Sequence, residues 1–258
     1  MTQQSCRHAP PLDAFTPPQS IDFSSIALLL DIDGTILDTA ATPTSVVVPG
    51  SLRSSLERLH AKSGGAVAFV SGRLIANIDR LFAPLRLPAI GGHGAQIRFS
   101  GNGRTRSRHA ELIGQGYRRQ VEAVAAADRR VFVENKGASL AIHYRLAPEL
   151  EKPLKSKIAT IVTQAGDLEL MEGKAVIEIK SRRFSKGTAV CELMTNPPFA
   201  NRKPIFIGDD ITDESVLAAL PAYGGIGYSV ERFMTGASGM FGSPTEVRDW
   251  LAALDAAE

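Results

Sequence analysis

The sequence predicts a doubly wound parallel-sheet α/β core (Rossmann-like) interrupted by a smaller inserted unit. Three observations carry the prediction. The apolar runs Ile26-Ala27-Leu28-Leu29-Leu30, Ala66-Val67-Ala68-Phe69-Val70 and Pro204-Ile205-Phe206-Ile207 have the length and unbroken hydrophobicity of strands buried on both faces. Helix-like stretches alternate with these runs, as in a sheet wound by crossover helices. Between residues 108 and 182 the alternation gives way to an α-β-β-α-β-β order. The chain has 258 residues, 44% hydrophobic and 22% charged, which allows one large core with a small insert.

The elements follow in order. Residues 1–25 are polar and carry Pro10, Pro11, Pro17 and Pro18, without the apolar centre of a signal peptide, and read as a tail. A strand at 26–30, a helix at 50–63, a strand at 66–70 and a helix at 74–82 come next. A strand at 88–90 leads into Gly91-Gly92-His93-Gly94 and a hairpin-like piece at 95–99. After residue 183 the order is helix, strand, acid cluster, helix and a short strand near 225–227. A helix at 245–254 closes the chain, with Val247, Trp250, Leu251 and Leu254 on one face. The core is thus 26–107 with 183–258, and the cap 108–182.

Within the cap, an alanine-rich helix at 111–127 precedes a hairpin of 131–135 and 139–144 around Lys136-Gly137-Ala138. Leu150, Leu154, Ile158, Ile161 and Val162 then repeat at helical spacing across 148–165, with Pro153 displacing the start. A second hairpin joins 167–171 to 175–179 around Glu172-Gly173. Side chains alternate along strands, so Leu140, Ile142 and Tyr144 face one way. The open face carries Glu134, Lys136, His143, Arg145, Lys174 and Glu178. By pattern alone this is equally the polar-out face of any half-buried sheet; its mixture of acids and bases also suits sugar hydroxyls, which donate and accept.

Four short segments at strand or helix ends carry chemistry. Asp31-Ile32-Asp33-Gly34-Thr35 sets two carboxylates at the carboxyl end of the first strand, where open α/β sheets bind ligands. One can attack as a nucleophile, the other can manage protons, and both suit a divalent cation. Ser71-Gly72-Arg73 offers a hydroxyl and backbone N–H groups to a phosphate oxygen, or a plain helix cap. Lys186 stands before a helix, as a phosphate ligand or a solvated lysine. The cluster Gly208-Asp209-Asp210-Ile211-Thr212-Asp213-Glu214 is a hard-cation site if its acids converge and a helix cap if they do not.

Composition excludes other classes. A net charge of +2 makes no case for nucleic acid, and no apolar stretch is long enough to span a membrane. Cys6 and Cys191 provide neither a disulfide framework nor a zinc spacing, which fits the cytoplasm. The oligomeric state is left open, a monomer being compatible.

Taken in order, the four segments resemble the motifs of the haloacid dehalogenase superfamily of aspartate-nucleophile phosphatases. Gly92-His93-Gly94-Ala95, Glu134-x-Lys136, His143-Tyr144-Arg145 and Glu172-Gly173-Lys174-x-Val176-x-Glu178 resemble its trehalose-6-phosphate phosphatase branch. The resemblance implies Asp31 as nucleophile, Asp33 as acid and base, and Ser71, Gly72 and Lys186 as phosphate ligands. It implies Mg²⁺ held by Asp31, the backbone carbonyl of Asp33 and Asp209, with Asp210 and Asp213 in support and Arg73 steadying the loop. It implies a phosphosugar substrate gripped by Glu134, Lys136, Lys174 and Glu178, with Arg145 and His93 beside them. The branch usually carries Glu where this chain has Gln96, which keeps the hydrogen-bonding shape and loses the charge. Sucrose-phosphate or mannosyl-3-phosphoglycerate phosphatases, a phosphohexomutase and a non-catalytic phosphosugar-binding regulator are the alternatives.

Overall fold

The computed structural model describes residues 17–39, 46–107, 113–135, 139–173, 175–182 and 184–256. The first part of the core comprises β1 (Ile26–Leu30), α1 (Gly50–Lys62), β2 (Val67–Val70), α2 (Ile75–Phe82), β3 (Ala89–Gly91), β4 (Gln96–Arg98) and β5 (Arg106–Ser107). The insert follows as α3 (Gln115–Ala125), β6 (Phe132–Asn135), β7 (Ser139–His143), α4 (Glu151–Ala165), β8 (Leu168–Gly173) and β9 (Val176–Ser181). The chain then returns to the core with α5 (Lys186–Met194), β10 (Lys203–Gly208), α6 (Glu214–Leu217), β11 (Ile226–Val230), β12 (Gly239–Phe241) and α7 (Pro244–Ala256).

The strands form two sheets. The larger has the order β12-β11-β10-β1-β2-β3-β4-β5, and the smaller β6-β7-β9-β8. β1 lies at the centre, parallel to both β10 and β2, with Leu30 opposite Ile207 and Phe69. In the larger sheet only the β3–β4 and β4–β5 pairings are antiparallel, at one edge. The unbroken hydrophobicity of the central strands now has its reason. Leu28, Leu30, Phe69 and Ile207 enter one buried cluster with α1, α2 and α7, whereas Ala27, Leu29, Val70 and Phe206 enter another with α5 and α6. Both faces of the sheet are covered, so neither parity of side chain meets water.

The insert follows the alternation. Leu140, Ile142, Ile177 and Ile179 pack with Val121 of α3 and with Leu154, Ile158 and Ile161 of α4 in a third cluster. Pro153 falls within the first turn of α4, where a missing N–H breaks no intrahelical bond.

Several expectations are amended. The hairpin-like piece at 95–99 is one strand of the antiparallel edge rather than a self-contained hairpin. β12 has no counterpart in the sequence reading, because three residues give too little pattern to register. The first insert helix is described from Gln115; residues 108–112 lie outside the described residues. The expected tail also lies outside them up to residue 16. From residue 17 it is docked: Ile21 and Phe23 pack on the core, and Trp250 Nε1 donates to the Pro18 carbonyl at 2.9 Å.

One buried ion pair supports the antiparallel edge. Arg98 is fully buried and donates to both oxygens of Asp79 at 2.6 and 2.7 Å and to the Leu87 carbonyl. Removing the acid alone strands a guanidinium away from water. Asp79→Ala is expected to cost roughly 3 kcal/mol in urea denaturation; an unchanged midpoint would show the pair to be immaterial.

Candidate active site

β1 and β10 are adjacent and parallel, but β2 lies on one side of the pair and β11 on the other. The crossovers therefore diverge, opening a crevice at the carboxyl ends of the two central strands. Asp31 follows β1 there and Asp209 follows β10. Gly34 has φ of +82° and its Cα faces the Asp209 carboxylate, which a Cβ would strike. Glycine thus lets the turn after Asp33 press against the second acid. Thr35 Oγ1 donates to Asp209 Oδ1 at 2.8 Å and lies 3.4 Å from Asp31 Oδ2, tying the two strand ends together.

Lys186 is the first residue of α5, and its position is set by a capping box. Ser185 Oγ accepts from the Thr188 N–H at 3.0 Å and Thr188 Oγ1 from the Ser185 N–H at 3.2 Å. Its side chain is buried, with Nζ 2.9 Å from Asp31 Oδ1 and 2.7 Å from Asp213 Oδ1. The solvated-lysine alternative falls. Asp213, fully buried, also accepts the backbone N–H groups of Asp209 and Asp210 on its other oxygen, both at 3.1 Å.

Asp31, Asp209 and Asp213 each present an oxygen, all within 4.8 Å of one another. Burial works against the charge of Lys186, but Asp213 and Asp31 outweigh it and hold the ammonium protonated above the ordinary lysine value. Burial pushes the Asp31 carboxyl well up, opposed by Lys186 and reinforced by Asp213 and Asp209. Burial raises Asp209 too, against the hydrogen bond from Thr35. Three carboxylates facing one ammonium leave an excess of negative charge, and hard oxygen donors in such a cluster fit a divalent cation.

Ser71 is buried at the end of β2 and Gly72 lies against the His93 imidazole, which occupies the space a Cβ would need. His93 adopts φ of 53°, which aims its ring back over that loop. The carboxylate of Asp33 stands apart from the acid cluster: both its oxygens accept from Arg73, at 2.6 Å each. Gln96 Oε1 accepts the Ile75 N–H at 2.9 Å. It satisfies the first donor of α2, a task that needs a carbonyl-type acceptor and no charge.

A cleft of about 680 Å³ joins this centre to the insert, with Asp31, Ser71, His93 and Lys186 on one side and Glu134, His143 and Arg145 on the other. Glu178 is buried where the two meet, its Oε1 accepting from Ser139 Oγ at 2.6 Å and lying 3.9 Å from His93 Nε2. Glu134 Oε2 lies 2.9 Å from His143 Nε2. Lys136 and Lys174 lie outside the described residues. The sequence reading did not single out Thr35 as a bridge between the acids, nor the pairing of Arg73 with Asp33. Both residues stood inside quoted motifs, but their partners are 174 and 40 residues away.

A parallel sheet with an aspartate pair at its switch point, faced by a buried lysine and a serine-glycine loop, defines a phosphatase of the haloacid dehalogenase class. Comparison with known proteins narrows this. The family model described as trehalose-phosphatase matches residues 29–239, and the chain belongs to that family. It is 38% identical over 245 residues to a probable trehalose-phosphate phosphatase of Sinorhizobium fredii, covering 95% of this chain and 88% of that one. It is 36% identical to the trehalose-6-phosphate phosphatase of Escherichia coli, over 90% and 87% of the two chains. In fold it is similar to the C-terminal domain of the Candida albicans trehalose-6-phosphate phosphatase, with a TM-score of 0.77, 20% identity and 90% and 93% coverage. No described helix is long and apolar enough to cross a membrane.

The electrostatics have a measurable consequence. With its pKa raised, Asp31 binds a proton more readily in the native than in the unfolded chain, so its ionisation opposes folding. That cost is absent below the ordinary carboxyl value, grows as pH rises from there to the raised folded value, and levels off above it. In metal-free protein near pH 7.5, Asp31→Asn is therefore expected to raise Tm by about 3 °C, with the gain shrinking as the pH falls toward about 4. Equal Tm values across that range would contradict the assignment.

Proposed function

We propose that this chain hydrolyses trehalose 6-phosphate to trehalose and phosphate through an aspartyl-phosphate on Asp31, with Mg²⁺ as cofactor and in the cytoplasm. The observation that carries the reading is the single cleft that runs from the buried Asp31–Lys186 pair to the polar face of the insert. Its two walls suit the two ends of a phosphodisaccharide. Family membership favours the same substrate over sucrose-phosphate and mannosyl-3-phosphoglycerate.

In the first step an Asp31 oxygen attacks phosphorus in line, the bond from phosphorus to the sugar oxygen breaks, and Asp33 gives that oxygen a proton. In the second, Asp33 takes a proton from water, whose oxygen attacks phosphorus and releases Asp31 and phosphate. Because both Asp33 oxygens are engaged by Arg73, proton transfer requires the carboxylate to leave at least one of those contacts. Ser71, the Gly72 N–H and Lys186 hold the phosphoryl oxygens, and Asp213 keeps the ammonium aimed. Mg²⁺ would be held by Asp31, Asp209 and the backbone carbonyl of Asp33, and when bound it offsets the excess negative charge that otherwise repels a phosphate. Glu134, Lys136, Lys174, Glu178, Arg145 and His93 read the sugars.

Phosphate release from a panel of phosphosugars with Mg²⁺ tests the substrate: trehalose 6-phosphate should exceed the others in kcat/KM, and another ester in first place would replace the reading. Asp31→Asn should lose well over ~10²-fold in kcat, since no neighbour attacks from the same position; retention of a tenth of the activity would remove Asp31 as nucleophile. Glu178→Ala should lower kcat/KM for trehalose 6-phosphate by ~10- to 1000-fold, far more than for p-nitrophenyl phosphate, because it leaves polar groups unpaired in the site. Equal losses on both esters would assign Glu178 to the fold. Exhaustive EDTA treatment should abolish turnover and Mg²⁺ restore it.

A further inference from the structure

We propose that Phe132 is the platform on which the sugar ring remote from the phosphate packs, making it a specificity-determining residue for a disaccharide ester. The inference rests on the substrate reading above.

The sheet register sets out the geometry. Opposed pairs Glu134↔Ala141 and Ala141↔Glu178 form one row of the insert, and Phe132↔His143 and His143↔Val176 form the next on the same face. Glu178 marks the end nearest the core, 3.9 Å from His93. Phe132 lies one side-chain step along the strands and two strands across from it, roughly 12 Å away. Both belong to the wall facing the phosphate centre, and Phe132 lines the cleft itself. A first sugar ring attached to the phosphate sits beside His93 and Glu178; a second ring reaches the Phe132 row.

Phe132 has no part in the packing of the insert. It is 57% exposed, whereas its neighbour Val133, of opposite parity, turns into the apolar cluster. It is nonetheless held in place. The His143 ring stacks on one face with centroids 4.5 Å apart and planes at 12°, and Glu134 fixes that imidazole from the side at 2.9 Å. One ring face is occupied by His143, and the ring stays more than half exposed where it lines the cleft. Leu146, 71% exposed, extends the apolar surface along the same cleft.

That combination matches the two surfaces of a pyranose. Its hydroxyl rim needs donors and acceptors, which Glu134 and the His143 edge provide. Its C–H face is apolar and faintly positive, and the π-face of an aromatic ring is its complement. Because the platform is pre-stacked, little rotamer freedom is lost when a sugar arrives.

The contact lies far from the reacting atoms and acts alike on bound substrate and transition state, so its loss should appear in KM more than in kcat. For Phe132→Ala, KM for trehalose 6-phosphate should rise about tenfold with kcat altered less than about twofold. The loss in kcat/KM should exceed that on p-nitrophenyl phosphate by the same factor. Phe132→Tyr, which keeps the ring, should restore most of the loss; Phe132→Leu, which keeps bulk without a π-face, should not. Equal losses on both esters, a fall in kcat alone, or full rescue by leucine would each overturn the proposal. Should the wild-type enzyme prefer a different phosphosugar, the substrate reading fails by itself and the same ratio measured on that ester decides the role of Phe132. Wild-type turnover confined to p-nitrophenyl phosphate would overturn both.

Discussion

The buried ammonium of Lys186 is the interaction on which the rest of the centre depends. It holds Asp31 at the end of one central strand and Asp213 in the turn after the neighbouring one, at 2.9 and 2.7 Å. Without it, three carboxylates would crowd a water-poor crevice with no positive partner, a costly arrangement for any fold. Its location follows from an ordinary device, a helix whose capping box fixes its first residue. A local rule of helix starts thereby positions the charge that makes a long-range acid cluster tolerable.

The ammonium does not neutralise the cluster, and the deficit serves the chemistry. A site with excess negative charge suits a divalent cation, and a cation held there would offset the charge with which bare carboxylates repel a phosphate. The raised pKa of Asp31 expresses the same strain: the metal-free protein holds this carboxyl in an environment that disfavours its charged form. Stability is given up at the carboxyl we propose as the nucleophile, as active sites commonly do.

The core was legible because its signals are local. Continuous apolar runs ended by acids gave the central strands, and alternation in 139–145 gave the correct inward and outward faces of the insert, with Leu140 and Ile142 in its core. Side-chain pairing across the chain was not legible. Asp33 stood out as an acid, but nothing local announces that Arg73, forty residues on, grips both its oxygens. Gln96 looked like a departure from a functional pattern until its partner proved to be the first N–H of α2, where a neutral amide serves as well as a carboxylate. β12, with three residues and one neighbouring strand, forms because β11 is already there to pair with it. Phe132 escaped notice for a related reason: its parity placed it on the polar face, where a single aromatic reads as an accident until the stacked imidazole beneath it is seen.

The insert enters the chain as one uninterrupted stretch, from Gln115 of α3 to Ser181 of β9, with an apolar cluster of its own. Every side chain of the acid centre comes from outside that stretch, and the strand face we propose for the sugars comes wholly from within it. On that assignment the two jobs of the enzyme are separately heritable. One continuous piece of gene can be exchanged, or drift, to alter which molecule is chosen while the bond-breaking apparatus is transmitted intact, and a lineage can try new substrates without relearning how to cleave them.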